Sequence, residues 1–372
     1  TKNYSVMSTA KKQKMNNNDD DGSSSLKPIK AGFIGCGTIA SAIATSLATP
    51  DHKTHLSQVG YTLQSISVTR RSESKSSKLK ENFDDVVTVY ESAEDVVTNS
   101  NLIFLCVLPQ QVDGVLEELT MKGVWNSDHT LVSLVVRVCV SFDLNGLLIC
   151  CVCGGLTCMA YFLLFSKQMP CLNCNCVKST SKVDELIQKS GLPRNEVYKM
   201  ICLPSIAKRE GCALLQPAPA QAPVPTSADG VTSKNNNNHD EVENINVKSL
   251  LNALGGCVEC ANDEIMNTMM VTTAMMGPMY GIMRNNQDWL VKHGVSPEDA
   301  SFFVGRSYLS MVQDAERDCH DPKRFDALVE EQTPGGLNEQ ALGNLEKQNV
   351  FNSYDNAMDA VLSRLQGKSD GS

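Results

Sequence analysis

The stretch AGFIGCGTIASAIATSLATP, Ala31 to Pro50, decides the fold. An apolar run closing on Phe33 and Ile34 reads as the end of a short buried strand. Gly35 and Gly37 then let the backbone turn sharply and approach a ligand. Ala40 supplies a third small position, so the helix expected over roughly Thr38 to Thr49 can sit close to the strand. Its unpaired N-terminal amides would then face a pyrophosphate. The pattern is G-x-G-x-x-A. Glycine pairs occur in many turns, so its force comes from the strand before it and the helix after it. The alternative for these residues is a plain βα turn in some other α/β protein.

Outward from the turn, elements alternate. LQSISVT (Leu63 to Thr69), VVTVY (Val86 to Tyr90), LIFLCVLPQ (Leu102 to Gln110) and TLVSLV (Thr130 to Val135) read as strands. The polar stretches SESKSSKLKENF and ESAEDVVTNS have the length of outer crossover helices, and STSKVDELIQKSG starts on Ser/Thr and stops on glycine as a helix does. This βαβ order predicts an α/β fold: a Rossmann-type, mostly parallel sheet over residues 28–216. From Val247 the pattern turns helical: VKSLLNALGG, a short strand CVEC, then long Met-, Leu- and Val-rich helices to Leu365. Residues 247–367 are therefore expected to form an all-helical dimerisation and substrate domain. The methionine series MNTMMVTTAMMGPMYGIM fits adaptable packing better than a metal site, and no metal centre is expected.

Composition narrows the function classes. A chain of 372 residues with 42% hydrophobic content has room for two cores. A formal net charge of −9 argues against a nucleic-acid binder working through a broad basic face. The N-terminal stretch, residues 1–27 with NNNDDDGSSS, has no apolar periodicity and reads as a solvated tail. It lacks a signal-peptide core, so the expected location is cytoplasmic, and the 15 cysteines are expected to be reduced.

Eight of those cysteines fall between Cys139 and Cys176, in a segment uncharged from Leu144 to Phe165. A membrane-crossing helix would place two halves of one βαβ unit on opposite sides of a bilayer. A zinc cluster would want C-x-x-C pairs in a regular repeat, which the spacing lacks. An atypical insertion over 136–177 is the favoured reading, because removing it rejoins strand to helix through a short loop. It is expected to contribute nothing to fold or activity. Residues 217–246, with PAPAQAPVPTSADG and NNNN, read as a low-complexity loop.

The order of GFIGCGTIASAI, VTRRSESK, LIFLCVLPQ, VKSLLNALGGCVEC, GPMY and TPGGLNEQALGNLE resembles the pyrroline-5-carboxylate reductase family, over Ile29 to Leu365 apart from the two insertions. That resemblance implies a dinucleotide-binding domain followed by a helical domain intertwined with a second subunit. It also implies reduction of a cyclic imine to proline with a nicotinamide cofactor. Gly35, Cys36, Gly37, Thr38, Ile39 and Ala40 would line the pyrophosphate, and Val107, Leu108 and Pro109 the nicotinamide ribose and ring. Charge speaks to the cofactor. An NAD site offers a carboxylate after the second strand, whereas this strand ends in Thr69, Arg70, Arg71 and Ser72, which suit the 2′-phosphate of NADP(H). A solvated helix start is the alternative, but cations there oppose the helix dipole.

Departures from the family concentrate in the substrate half. Its Met-Pro-Asn-Thr-Pro aligns with Leu203, Pro204, Ser205, Ile206 and Ala207, and its Ser-Gly-Ser with Ala274, Met275 and Met276. Two threonines after Pro-Gly-Gly become Leu337 and Asn338, a lysine becomes Leu108, and an asparagine becomes Ser92. A protonated imine is already electrophilic, so the protein need mainly hold it against the cofactor. The amides of Gly335, Gly336 and Leu337 offer an anion nest for a substrate carboxylate, with Asn338 near the nitrogen as the candidate catalytic residue and Pro204 on the substrate side. The same Pro-Gly-Gly would also serve as a turn feeding the last helices. The expectation is thus an NADP-dependent imine reductase acting as a homodimer on a small molecule, without nucleic-acid or membrane partners. The alternatives are a related oxidoreductase with another imine or carbonyl substrate, and a non-catalytic NADP-binding protein.

Overall fold

A computed structural model of the chain describes residues 26–70, 73–135, 183–219 and 244–368. Residues 136–177, Arg71, Ser72 and most of the 217–246 loop lie outside the described residues. The first half alternates strands with helices: β1 (Lys27–Ile34), α1 (Thr38–Ala48), α2 (Lys53–Gln58), β2 (Tyr61–Thr69), α3 (Glu73–Asn82), β3 (Val87–Tyr90), α4 (Ala93–Thr98), β4 (Leu102–Leu105), α5 (Val112–Met121), β5 (Thr130–Ser133) and α6 (Val183–Ser190). Then come β6 (Val197–Ile201), β7 (Ala213–Pro217), α7 (Val247–Ala253) and β8 (Cys257–Glu259). The strands form one sheet in the order β3-β2-β1-β4-β5-β6-β7-β8, parallel except for the antiparallel β6–β7 pair.

Side chains alternate across this sheet, and each face buries its own helices. Phe33 and Phe104, stacked with ring centroids 4.8 Å apart, face α1, whose Ile43 and Leu47 are fully buried. Ala40, Ala44 and Ala48, one helical turn apart, are buried on α1 and let it lie close to the sheet, as the small residues of the opening stretch require. Ile34, Ile103 and Leu105 point the other way, into a second cluster with Val96 and Val97 of α4, Leu116 of α5 and Leu186 of α6. Val135 and Val183, the described residues that flank 136–182, are buried in that same cluster.

Two features differ from the sequence reading. The strands β6 and β7 were not expected, since both are short and neither shows period-two alternation. The segment Val247 to Glu259, placed by its sequence in the helical domain, belongs to the sheet: β8 pairs with β7, and Val247, Leu250, Leu251 and Leu254 pack in the α1-side core. The helical region therefore begins after β8, with α8 (Asp263–Ala274), α9 (Met276–Lys292), α10 (Pro297–Glu316), α11 (Arg324–Glu330), α12 (Leu337–Lys347) and α13 (Val350–Leu365). Of these, α9, α11, α12 and α13 bury no residue fully. Among the described residues no helix is long and apolar enough to cross a membrane.

Candidate functional site

Strand order reverses between β1 and β4, and in open parallel sheets ligands bind outside the carboxyl ends of the strands at such a point. A cleft of about 450 Å³ opens there, lined by Gly35, Thr69, Arg70, Glu73, Glu91 and Val107 among others. Gly35 has φ +99°, and a Cβ on it would lie 2.6 Å from the carbonyl oxygen of Cys106. Only glycine lets the β1–α1 turn pass so close to the end of β4. The Gly35 N–H donates to Thr69 Oγ1 at 2.9 Å, a buried bond that ties the turn to β2. Thr69 thus shapes the cradle with its hydroxyl.

Gly37 is the N-cap of α1, with ordinary dihedrals and nothing within 4 Å of where its Cβ would stand. No side chain among the described residues caps this helix, and its first turn holds no acid. Its first N–H groups and the positive end of the helix dipole are left for a ligand. Cys36 and Ala40 are buried and Ile39 packs on the core, so these residues offer only backbone to such a ligand. The Cys36 thiol lies 3.5 Å from Ser41 Oγ. Burial pushes the Cys36 and Cys106 thiols up, and that of Cys202 to about 12, which favours the neutral thiol at all three.

Two residues enter the site that the sequence reading passed over. Lys75, in the first turn of α3, donates from Nζ to Thr38 Oγ1 at 2.6 Å and lays a cation across the start of α1. Glu91, just past β3, pairs with Arg70 Nε at 2.5 Å. A lysine one turn past the β2–α3 junction was the available signal for the first. The second had none, because strand pairing alone brings it to Arg70. Ser92 caps α4, accepting from the Asp95 N–H at 3.0 Å. At the end of β4, Val107 lines the cleft, Leu108 is half-exposed, and Pro109 opens a 3-10 turn leading to α5.

The substrate-side residues lie elsewhere. Pro204 is exposed at the start of the turn Pro204–Lys208, which packs on the α1 side through buried Ile206. Gly335 has φ +72° and Gly336 caps α12. The expected three-amide nest is already partly filled. Gly335 N–H donates to Glu339 Oε2 at 2.6 Å and Gly336 N–H to the Thr333 carbonyl at 2.8 Å, which leaves the Leu337 amide. Glu339 stands where a substrate carboxylate was expected. Leu337 is 83% exposed, and among the described residues no hydrogen bond or ion pair joins Gly335–Asn338 to the cleft.

Residues 30–137 match the family described as NADP oxidoreductase coenzyme F420-dependent. The structure is similar to a pyrroline-5-carboxylate reductase from Coxiella burnetii, at 17% identity and a TM-score of 0.59, covering 91% of this chain and 98% of that one. It is also similar to the Streptococcus pyogenes 1-pyrroline-5-carboxylate reductase (14% identity, TM-score 0.55, 91% and 99% covered). The Plasmodium falciparum pyrroline carboxylate reductase with NADP bound gives 17% identity and a TM-score of 0.53, with 92% and 98% covered. The fold is that of the pyrroline-5-carboxylate reductases. No curated protein sequence matches significantly. In this fold, a Rossmann-type sheet domain is followed by a helical region, and the cleft described above lies at the carboxyl edge of the sheet.

Proposed function

We propose that this chain is an NADP(H)-dependent reductase of a cyclic imine, with pyrroline-5-carboxylate as substrate and proline as product. The observation that carries the reading is the uncapped start of α1 behind Gly35 and Gly37, with Lys75 laid across it. Those residues fit a dinucleotide: the backbone from Cys36 to Ala40 meets the pyrophosphate, Lys75 neutralises it, and Arg70, followed in sequence by Arg71 and Ser72, meets the 2′-phosphate. A bound nicotinamide supplies the hydride. Val107, Leu108 and Pro109 hold its ring end. The Leu337 amide and Asn338 orient the imine, whose carboxylate must displace Glu339 from Gly335. Pro204 closes the substrate side.

The filled nest and the altered substrate residues favour a second reading, a related reductase of another imine or carbonyl, or an NADP-binding protein without catalysis. NADPH oxidation measured with a panel of cyclic imines and carbonyl compounds separates these. Turnover of pyrroline-5-carboxylate is the expected result. Turnover of a different imine or of a carbonyl alone would move the substrate, and tight NADPH binding with no turnover on any member would sink the enzyme reading.

The reading includes a homodimer through α8 to α13. Phe302, Phe303, Tyr280 and Trp289 are each more than half exposed, an apolar surface that soluble monomers rarely carry. A second copy would cover it and could bring its own Gly335–Asn338 to the cleft. Light scattering at micromolar concentration with NADPH present should give twice the chain mass. A monomeric mass counts against the assembly.

A further inference from the structure

We infer that Glu91 sets how strongly the site discriminates NADPH from NADH, by competing with the cofactor's 2′-phosphate for Arg70; this rests on the dinucleotide reading above. The pairing is built into the sheet. Strands β2 and β3 run parallel with Thr69 opposite Tyr90, and the Arg70 N–H extends the ladder to the Tyr90 carbonyl at 2.9 Å. Arg70 and Glu91, each one residue past its strand, therefore emerge side by side, and Arg70 Nε meets Glu91 Oε1 at 2.5 Å. Both line the cleft beyond the end of β2, where the adenosine ribose of a dinucleotide lies, and Glu73 lines it too.

The chemistry of that corner is mixed. A guanidinium is the group that recognises a phosphate, while carboxylates accept hydrogen bonds from ribose hydroxyls. A 2′-phosphate arriving at Arg70 finds Glu91 already there, and two anions sharing one cation repel each other. A 2′-hydroxyl meets no such conflict and gains an acceptor. Arg70 and Glu91 are 50% and 73% exposed, so their pair is weak and displaceable. Glu91 thus lowers the NADPH preference without abolishing it.

The test titrates NADPH and NADH into the full chain by calorimetry, for the unaltered protein, Glu91→Gln, Arg70→Ala and the double variant. Glu91→Gln keeps side-chain size and should melt as the parent does. It is expected to raise the NADPH-to-NADH affinity ratio about tenfold, the scale of one charge-assisted contact. In the Arg70→Ala background the same change should move the ratio less than it does in the parent, because the competition for Arg70 is gone and only direct repulsion of the phosphate and the hydroxyl acceptor remain. Binding of both cofactors with an unchanged ratio in Glu91→Gln overturns this inference alone. Binding of neither cofactor by the unaltered protein overturns the dinucleotide reading with it.

Discussion

Gly35→Ala is expected to lower NADPH and NADH affinity alike by about tenfold or more, and to lower the melting temperature as well. Two independent costs meet at this residue. At φ +99° an L side chain costs on the order of 1–3 kcal/mol, and the new Cβ would sit 2.6 Å from the Cys106 backbone oxygen, which cannot rotate away. Relief requires the turn to lift off β4, which breaks the Gly35-to-Thr69 bond and tilts the start of α1. Gly37→Ala is the control, since its φ of −83° suits alanine and nothing lies within 4 Å of the new methyl. Stability should fall only by the cost of alanine for glycine at an N-cap, about 1 kcal/mol, while the methyl stands in front of the α1 amides, so affinity falls with little change in melting temperature. Lys75→Ala should weaken both cofactors equally, because the pyrophosphate is common to them. If Gly37→Ala binds NADPH as tightly as the parent, α1 is not a phosphate cradle.

How much of this was legible in the sequence follows from the range of the forces involved. The β1–α1 turn was readable because strand, glycines and small helix residues are contiguous, and each is a local requirement of close packing. The crossover elements were readable for the same reason, with ends displaced by a few residues. What could not be read depends on pairing across the sheet. VYKMI gives β6 no alternation, because Lys199 at its centre is buried on an ion pair rather than turned to water. The strand CVEC was visible, but its place beside β7 was not, since the long loop hides which sheet it joins. Lys75 looked like one more solvated lysine in a Ser/Lys-rich helix. The Gly335, Gly336 and Leu337 amides looked free, whereas the fold gives the first two to Glu339 and Thr333.

The last expected result concerns the joint between sheet and helical region. Lys199 has a side chain only 1% exposed and donates to Asp263 Oδ1 at 2.6 Å, in the first turn of α8. With its amide turned to suit Asp263, Gln216 of β7 donates to the same oxygen at 3.0 Å and accepts from the Asp263 N–H at 3.3 Å. Burial pushes the Lys199 pKa down, and Asp263 partly restores it. Removing the acid strands an ammonium in the core, so Asp263→Ala should cost about 3 kcal/mol, the low end for a broken buried pair because Asp263 is one-third exposed. Lys199→Met, which replaces the charge with apolar volume and leaves an Asp263 that is one-third exposed and still held by Gln216, should cost less than Asp263→Ala. Urea unfolding midpoints at constant slope measure both. The double variant decides the cause. Asn262 still caps α8 through its bond from the Ile265 N–H, so the helix start survives the loss of Asp263. Adding Lys199→Met to Asp263→Ala should therefore recover most of the loss. If the double variant is as unstable as Asp263→Ala alone, the cost lies in the α8 start or the Gln216 bonds and not in a stranded lysine.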